Sequence, residues 1–192
     1  MNFITFVVRQ VLRVAIVLGL AGLIYIGSVV AYDKHYSREA YIKHYQDLYN
    51  DIGRQSGQVY PPLRISDSMV VNAFATENEV IVTKGMLEFV NNDDELAMVL
   101  GHEISHFILK HVFQPNLPGM GPIENMMWDL QKEENADKLG AFLALQAGYD
   151  VCNGRQVWLR LHNAGDALEN TSHPHHIFRY VNLKMPSCRG EL

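Results

Sequence analysis

Residues 101–111 read Gly101-His102-Glu103-Ile104-Ser105-His106-Phe107-Ile108-Leu109-Lys110-His111, and the run from His102 to His106 decides how the rest is read. The run lies inside an expected helix. Asn92 suits its N-cap with Glu95 three positions on, apolar residues recur at Leu96, Val99, Leu100 and Leu109, and the helix should reach His111 and stop before Pro115. On such a helix His102 and His106, spaced i and i+4, project from one face about a turn apart, as two ligands of one tetrahedral zinc require. Glu103 beside them is placed to take a proton from a metal-bound water rather than to bind the metal. HExxH specifies few positions and the chain has 9 histidines, so the motif needs a third ligand. His111 is out of register, because a metzincin pattern would need Gly and His where Leu109 and Val112 stand. A cation near a helix C-terminus is the plainer reading of His111.

The third ligand is expected on the next helix. Phe113 to Pro122 is rich in proline and glycine and reads as a loop; Pro122 suits a first helical position and Gly148 the residue past the end, giving a helix from about Ile123 to Ala147. Its apolar stripe, followed in steps of three and four, runs through Ile123, Met126, Leu130, Glu133, Asp137, Gly140 and Ala144, which puts two carboxylates on the face that should be buried. Buried carboxylates need partners. Glu133 as third ligand, with Asp137 one turn on accepting from a ligand imidazole N–H, makes a coherent His/His/Glu site; an ion pair with a buried arginine such as Arg179 is the alternative. Glu134 instead pairs at i+4 with Lys138, as on a solvated face. Ala136 and Gly140 would let this helix approach the first one closely.

Outward from these two helices the signals are shorter. Leu63 to Ile65, Met69 to Ala75 and Glu79 to Lys84 have strand composition and are broken by Pro61-Pro62 and Glu77-Asn78, so a small sheet is expected. Asp33 to Gly53, with Tyr41, Ile42, Tyr45, Leu48 and Tyr49, fits an amphipathic helix. Two more helices are expected near Gly154 to Asn163 and Pro174 to Lys184. The fold class is therefore α+β, a mainly helical zincin-type domain over 33–192 with a small β-sheet beside the HExxH helix.

Residues 1–32 have a different character. Val14 to Tyr32 contains no charged residue and follows Arg9 and Arg13. At about 1.5 Å per residue it just spans a bilayer core of roughly 30 Å. It reads either as an uncleaved transmembrane signal-anchor, favoured by its length and by apolar Phe3 to Val8, or as a signal peptide cleaved near Ala31. Both readings export the domain. Without Arg9 and Arg13 the rest of the chain carries 14 basic and 21 acidic residues, with no run of Lys or Arg, which argues against a nucleic-acid partner. Cys152 and Cys188, the chain's 2 cysteines, read either as one bridge in an oxidising compartment or as two buried thiols.

Together these residues resemble the HtpX-like zinc endopeptidases, metallopeptidase family forty-eight. The likeness extends beyond the metal motif: Asn72-Ala73-Phe74-Ala75, then Val80 to Lys84 with Gly85-Met86-Leu87, then Asp94-Glu95-Leu96 leading into Gly101-His102-Glu103, is similar to the family's run from sheet to active-site helix. Glu133-Glu134-Asn135-Ala136-Asp137 and Ala147-Gly148-Tyr149-Asp150 resemble its ExxAD and AGYD segments, and Ser172-His173-Pro174 with Arg179 its THP…R element. The resemblance implies one Zn2+ per chain, held by His102, His106 and Glu133, and hydrolysis of peptide bonds with Glu103 moving the proton. It also implies a minimal catalytic domain, since the chain ends soon after the THP-like element without the helical-repeat extension of some relatives.

A tetrahedral oxyanion needs a further donor, for which His173 is the candidate and Arg179 a second; His173 could instead cap its helix or reach the zinc. Peptides are commonly held by strand addition, so Asn72, Ala73 and Phe74 to Ala75, or Val80 to Thr83, should supply an edge for extended or unfolded segments. Phe113, Leu117 and Met120 either line the cleft rim or pack on the core. The expected function is a zinc metalloendopeptidase of the cell envelope acting on unfolded or misassembled proteins, anchored in the inner membrane with its catalytic domain in the periplasm or secreted there. A membrane-tethered zinc-containing holdase with little turnover is the rival, and a purely structural zinc site a third reading.

Overall fold

The structure, a computed structural model, describes residues 19–20, 22–24, 37–113, 121–165, 176–183 and 188. It divides into Met1–His44 and Tyr45–Leu192. In the first unit the described residues are helical and largely exposed. Most of the apolar run Val14 to Tyr32, expected to be an anchor or signal, lies outside the described residues, and among those described no helix is long and apolar enough to cross a membrane.

The second unit opens within a helix, α1 (37–54), whose Leu48, Tyr49 and Ile52 are buried. A small sheet follows, with β1 (Leu63–Ser66), β2 (Ala73–Ala75) and β3 (Val80–Thr83) in the order β1-β3-β2. β3 is buried along its whole length because it is central, parallel to β1 and antiparallel to β2; its Val-Ile-Val-Thr run suits a strand covered on both faces. This narrows the expectation of a free edge. β3 has a neighbour on either side, which leaves β2, not Val80 to Thr83, at the sheet's margin.

Thr83 ends β3 and starts the short helix α2 (Lys84–Phe89) by accepting from the Met86 N–H. With only six residues α2 shows no periodicity, and the sequence reading has no helix there. α3 (Asp93–Ile108) begins where expected: Asn92 accepts from Glu95 N at 2.9 Å, while Glu95 turns back to accept from Asn91 N and from Arg160. Every residue of α3 from Glu95 to His106 is buried, so this helix is the axis of the core. Fully buried Leu96, Leu100 and Ile104 each contribute about 1.5–3 kcal/mol of burial.

α4 (Pro122–Gln146) crosses α3 at two glycines. A Cβ on Gly140 would stand 2.6 Å from His102 N, and one on Gly101 would stand 2.7 Å from Gly140 O, so the two backbones meet at a distance only glycine permits. The stripe read through α4 is half correct. Asp137, Gly140 and Ala144 are buried, but Ile123 is 70% exposed, Met126 52% and Leu130 37%, because among the described residues α4 packs on α3, α5 and α7 through its later turns only. Where one helix was expected near Gly154 there are two, α5 (Val151–Gly154), capped by Asp150, and α6 (Gln156–Ala164). α7 (His176–Asn182) brings Arg179 onto α4.

Candidate metal centre

The crossing of α3 and α4 sets two imidazoles and a carboxylate against each other. His102 Nε2 and His106 Nε2 are 2.9 Å apart, and Glu133 places Oε2 3.4 Å from the first and Oε1 3.3 Å from the second. Atoms bound tetrahedrally at about 2.0–2.1 Å from zinc lie about 3.3 Å from one another. Each histidine nitrogen therefore stands at about ligand–ligand distance from one oxygen of Glu133, and with one ligand atom per residue the three side chains lie within 4.8 Å of one another, the group among the described residues whose donor atoms converge for a metal. Both histidines are buried and Glu133 is half-buried, so the cluster sits at the boundary of the core.

Proton positions follow from the neighbours. A neutral imidazole has one N–H and one lone pair, so a His102 that offers Nε2 to a metal must carry its proton on Nδ1. Asp137 Oδ1 lies 2.9 Å from that Nδ1 and accepts it. Arg179 also comes within 2.8 Å of Nδ1, but both groups are donors in this tautomer; the guanidinium instead donates from Nε and Nη2 to Asp137, at 2.6–3.1 Å. Burial alone would raise the Asp137 carboxyl, but Arg179 and His102 together outweigh it and hold it well below the usual carboxylate range. Burial likewise works against the Arg179 charge and Asp137 more than restores it. The guanidinium lies 3.5 Å from the centre of the Trp158 ring, which also meets His102 in a T-shaped contact at 5.7 Å between centroids.

His106 is held neutral by burial and by His102 beside it, against a smaller opposing pull from Glu133. Its Nδ1 lies 3.0 Å from Nδ1 of His111. Burial, then His106, then Lys132 bring His111 down to about 4, so at neutral pH it is an uncharged imidazole and not the helix-end cation its position suggested.

The remaining expected residues divide clearly. Glu103 is buried on α3 directly after His102. Glu134 is exposed and paired with Lys138 at 2.5 Å, as its spacing implied. Arg179 is brought to the centre, but the oxyanion role expected for it meets a different geometry: Nε and Nη2 are engaged on Asp137, and Nη1 is 4.0 Å from Glu133, behind the ligands. His173, Leu117 and Met120 lie outside the described residues. Phe113 is exposed at 45%, its ring edge-on to Phe107. Cys152 and Cys188 are joined in a disulfide.

β2 packs on α3 and lies at one margin of the sheet. Asn72 O accepts from Thr83 N, and Thr76 N donates to Glu79 O, so residues 72, 74 and 76 turn their amides and carbonyls to β3 while Ala73 and Ala75 turn theirs the other way. His111 and Trp158 had no place in the expected site. His111 falls five residues after His106, which is not a same-face helical spacing, and Trp158 reaches the centre from a distant helix; no local pattern marks either.

The chain is similar to known peptidases. A sequence profile of the family described as Peptidase family M48 matches residues 37–123. A "Protease HtpX homolog" of Methanothermobacter thermautotrophicus is 35% identical over 82 residues, 40% of this chain and 31% of that protein. The "Mitochondrial metalloendopeptidase OMA1" of Arabidopsis thaliana is 29% identical over 131 residues, 55% of this chain and 27% of that one, and a "Protease HtpX homolog" of Pyrococcus abyssi is 47% identical over 60 residues, 29% and 20%. The chain thus spans less than a third of the length of these relatives. The profile match includes His102, Glu103 and His106 but ends before Glu133, so the third ligand rests on geometry.

Proposed function

We propose that this chain, whose residues 37–123 match the profile of peptidase family M48, is a zinc-dependent metalloendopeptidase of that family, with His102, His106 and Glu133 as ligands and Glu103 as the group that moves the proton. The observation that carries this is the convergence of His102, His106 and Glu133, whose ligand atoms lie within 4.8 Å of one another, beside the buried carboxylate of Glu103 on the helix that carries both histidines. When bound, zinc supplies a Lewis acid and lowers the pKa of a coordinated water. Glu103 accepts the proton of the attacking water and returns it to the departing amine nitrogen. Asp137 holds the Nδ1–H of His102, and Arg179, stacked over Trp158 at 3.5 Å, keeps Asp137 charged. His173 remains the proposed donor to the oxyanion.

The substrate is an extended or unfolded polypeptide. Ala73, itself buried, and half-buried Ala75 turn their backbone groups away from β3, and a peptide laid antiparallel along Asn72, Ala73 and Phe74 would gain main-chain hydrogen bonds without demanding one side-chain sequence. Action on unfolded or misassembled envelope proteins fits this. Two features support exposure to an oxidising compartment: the Cys152–Cys188 bridge and the apolar run Val14 to Tyr32, which would anchor or export the domain.

The test is cleavage of casein by the full chain beside Glu103→Gln. The substitution should lower the rate about 1,000-fold while zinc content stays the same. Equal cleavage by both proteins, with contaminating proteases excluded, would overturn the peptidase reading in favour of the holdase.

A further inference from the structure

We propose that His111 is a positioning residue of the metal centre: its Nδ1 accepts the Nδ1–H of His106 and so fixes that ligand's tautomer and ring orientation. The inference rests on the metal reading of His102, His106 and Glu133. For His106 to present Nε2 to the metal, its proton must sit on Nδ1, where it needs an acceptor. His102 has a carboxylate in that place, Asp137. His106 has His111, with the two Nδ1 atoms 3.0 Å apart and the rings edge to face at 5.1 Å between centroids. His111 cannot itself join the cluster, because it meets His106 on the atom opposite the ligating nitrogen. Its own proton then belongs on Nε2.

The backbone is bent to make this contact. α3 ends at Ile108, Leu109 caps it, and Lys110 adopts φ 62, the left-handed region, where a side chain costs roughly 1–2 kcal/mol and glycine is the usual residue. That turn folds a short 3-10 segment (His111–Phe113) back along α3, seating Phe113 against Phe107 and His111 against His106. A non-glycine residue held left-handed immediately before a ring that touches a ligand is a constraint whose return lies at the site.

The two ligand histidines are thus supported unequally. Asp137 is a charged acceptor locked by Arg179, whereas His111 is a neutral one on a surface turn. Asparagine at this position would place Oδ1 where His111 has Nδ1, glutamine would carry its oxygen one bond further, and leucine would keep bulk without an acceptor.

The experiment is zinc affinity of the full chain, measured by competition with a chromophoric chelator, for wild type, His111→Asn, His111→Gln and His111→Leu, each checked by circular dichroism. His111→Leu should weaken zinc by about 10- to 100-fold and His111→Asn should recover most of that loss, with His111→Gln between them. Wild-type affinity in His111→Leu, or equal impairment in the leucine and asparagine variants, would overturn the positioning role. If His111→Leu fails to fold, the Asn and Gln variants decide, since equal affinities for those two would overturn it as well. A wild-type chain that binds no zinc would overturn the metal reading itself, an outcome distinct from either.

Discussion

The two helices that build the centre are unlike each other. α3 is buried without interruption from Glu95 to His106, so its two histidines are placed by the core itself. α4 is buried only in its later turns; Ile123, Met126 and Met127 before Glu133 are more than half exposed, and Glu133 stands where the helix leaves the core. Two of the proposed ligands are therefore carried on a fully determined element and the third on a helix anchored at one end. The anchor is the Gly101–Gly140 crossing, two turns from Glu133, reinforced by the Asp137–Arg179 pair. The backbone contact at Gly140 thus acts together with the contacts of Glu133 to His102, His106 and Arg179 to place it.

The strongest way to break that account is Gly140→Val. Branched carbons would be driven into the backbone around His102 N and Gly101 C, at 2.6 and 2.7 Å from an added Cβ, and backbone cannot move aside as a side chain does. Stability should fall by about 3 kcal/mol or more in urea unfolding of the metal-free chain. A loss under about 1 kcal/mol would mean that α4 can slide on α3, and that the third ligand is not held by the crossing.

Next in size is the choice of carboxylate. Glu133→Gln should weaken zinc by at least about 100-fold, roughly 2.7 kcal/mol, because an amide oxygen is a neutral and poorer ligand than a carboxylate. Glu134→Gln should leave zinc unchanged, since Glu134 points to solvent and to Lys138. Metal analysis of the two purified variants distinguishes them, and loss of zinc only at Glu134 would reassign the ligand.

The same contrast explains what could be read from the sequence. His102 and His106 were legible because i and i+4 is a local rule that any helix obeys, and Glu133 and Asp137 because charge interrupted a stripe stepping by three and four. Periodicity says which residues share a face but not whether anything lies opposite, so Ile123, Met126 and Leu130 were read as buried with the rest of their stripe. β3 could be recognised as a strand, but its central place depends on β1 returning parallel to it, a long-range pairing. Asp137 was expected to serve either a ligand histidine or Arg179, and it does both, because a carboxylate has enough lone pairs for each. His111 was misjudged for a different reason: the left-handed turn at Lys110 breaks the helical register on which its reading depended.

The smallest effect tests the exposed end of α4. Met126 is 52% exposed and sits two turns before Glu133, so Met126→Gln removes little burial, keeps good helix propensity and touches neither the glycine crossing nor a ligand. Unfolding free energy should change by less than about 0.5 kcal/mol, and zinc affinity should not change. A loss above about 1 kcal/mol in urea melts would show that this face is covered in solution, and the two helices would then be more alike than their exposures imply. A change in zinc affinity without a change in stability would carry a different message, that the free end of α4 transmits its position to Glu133 despite the anchor at Gly140.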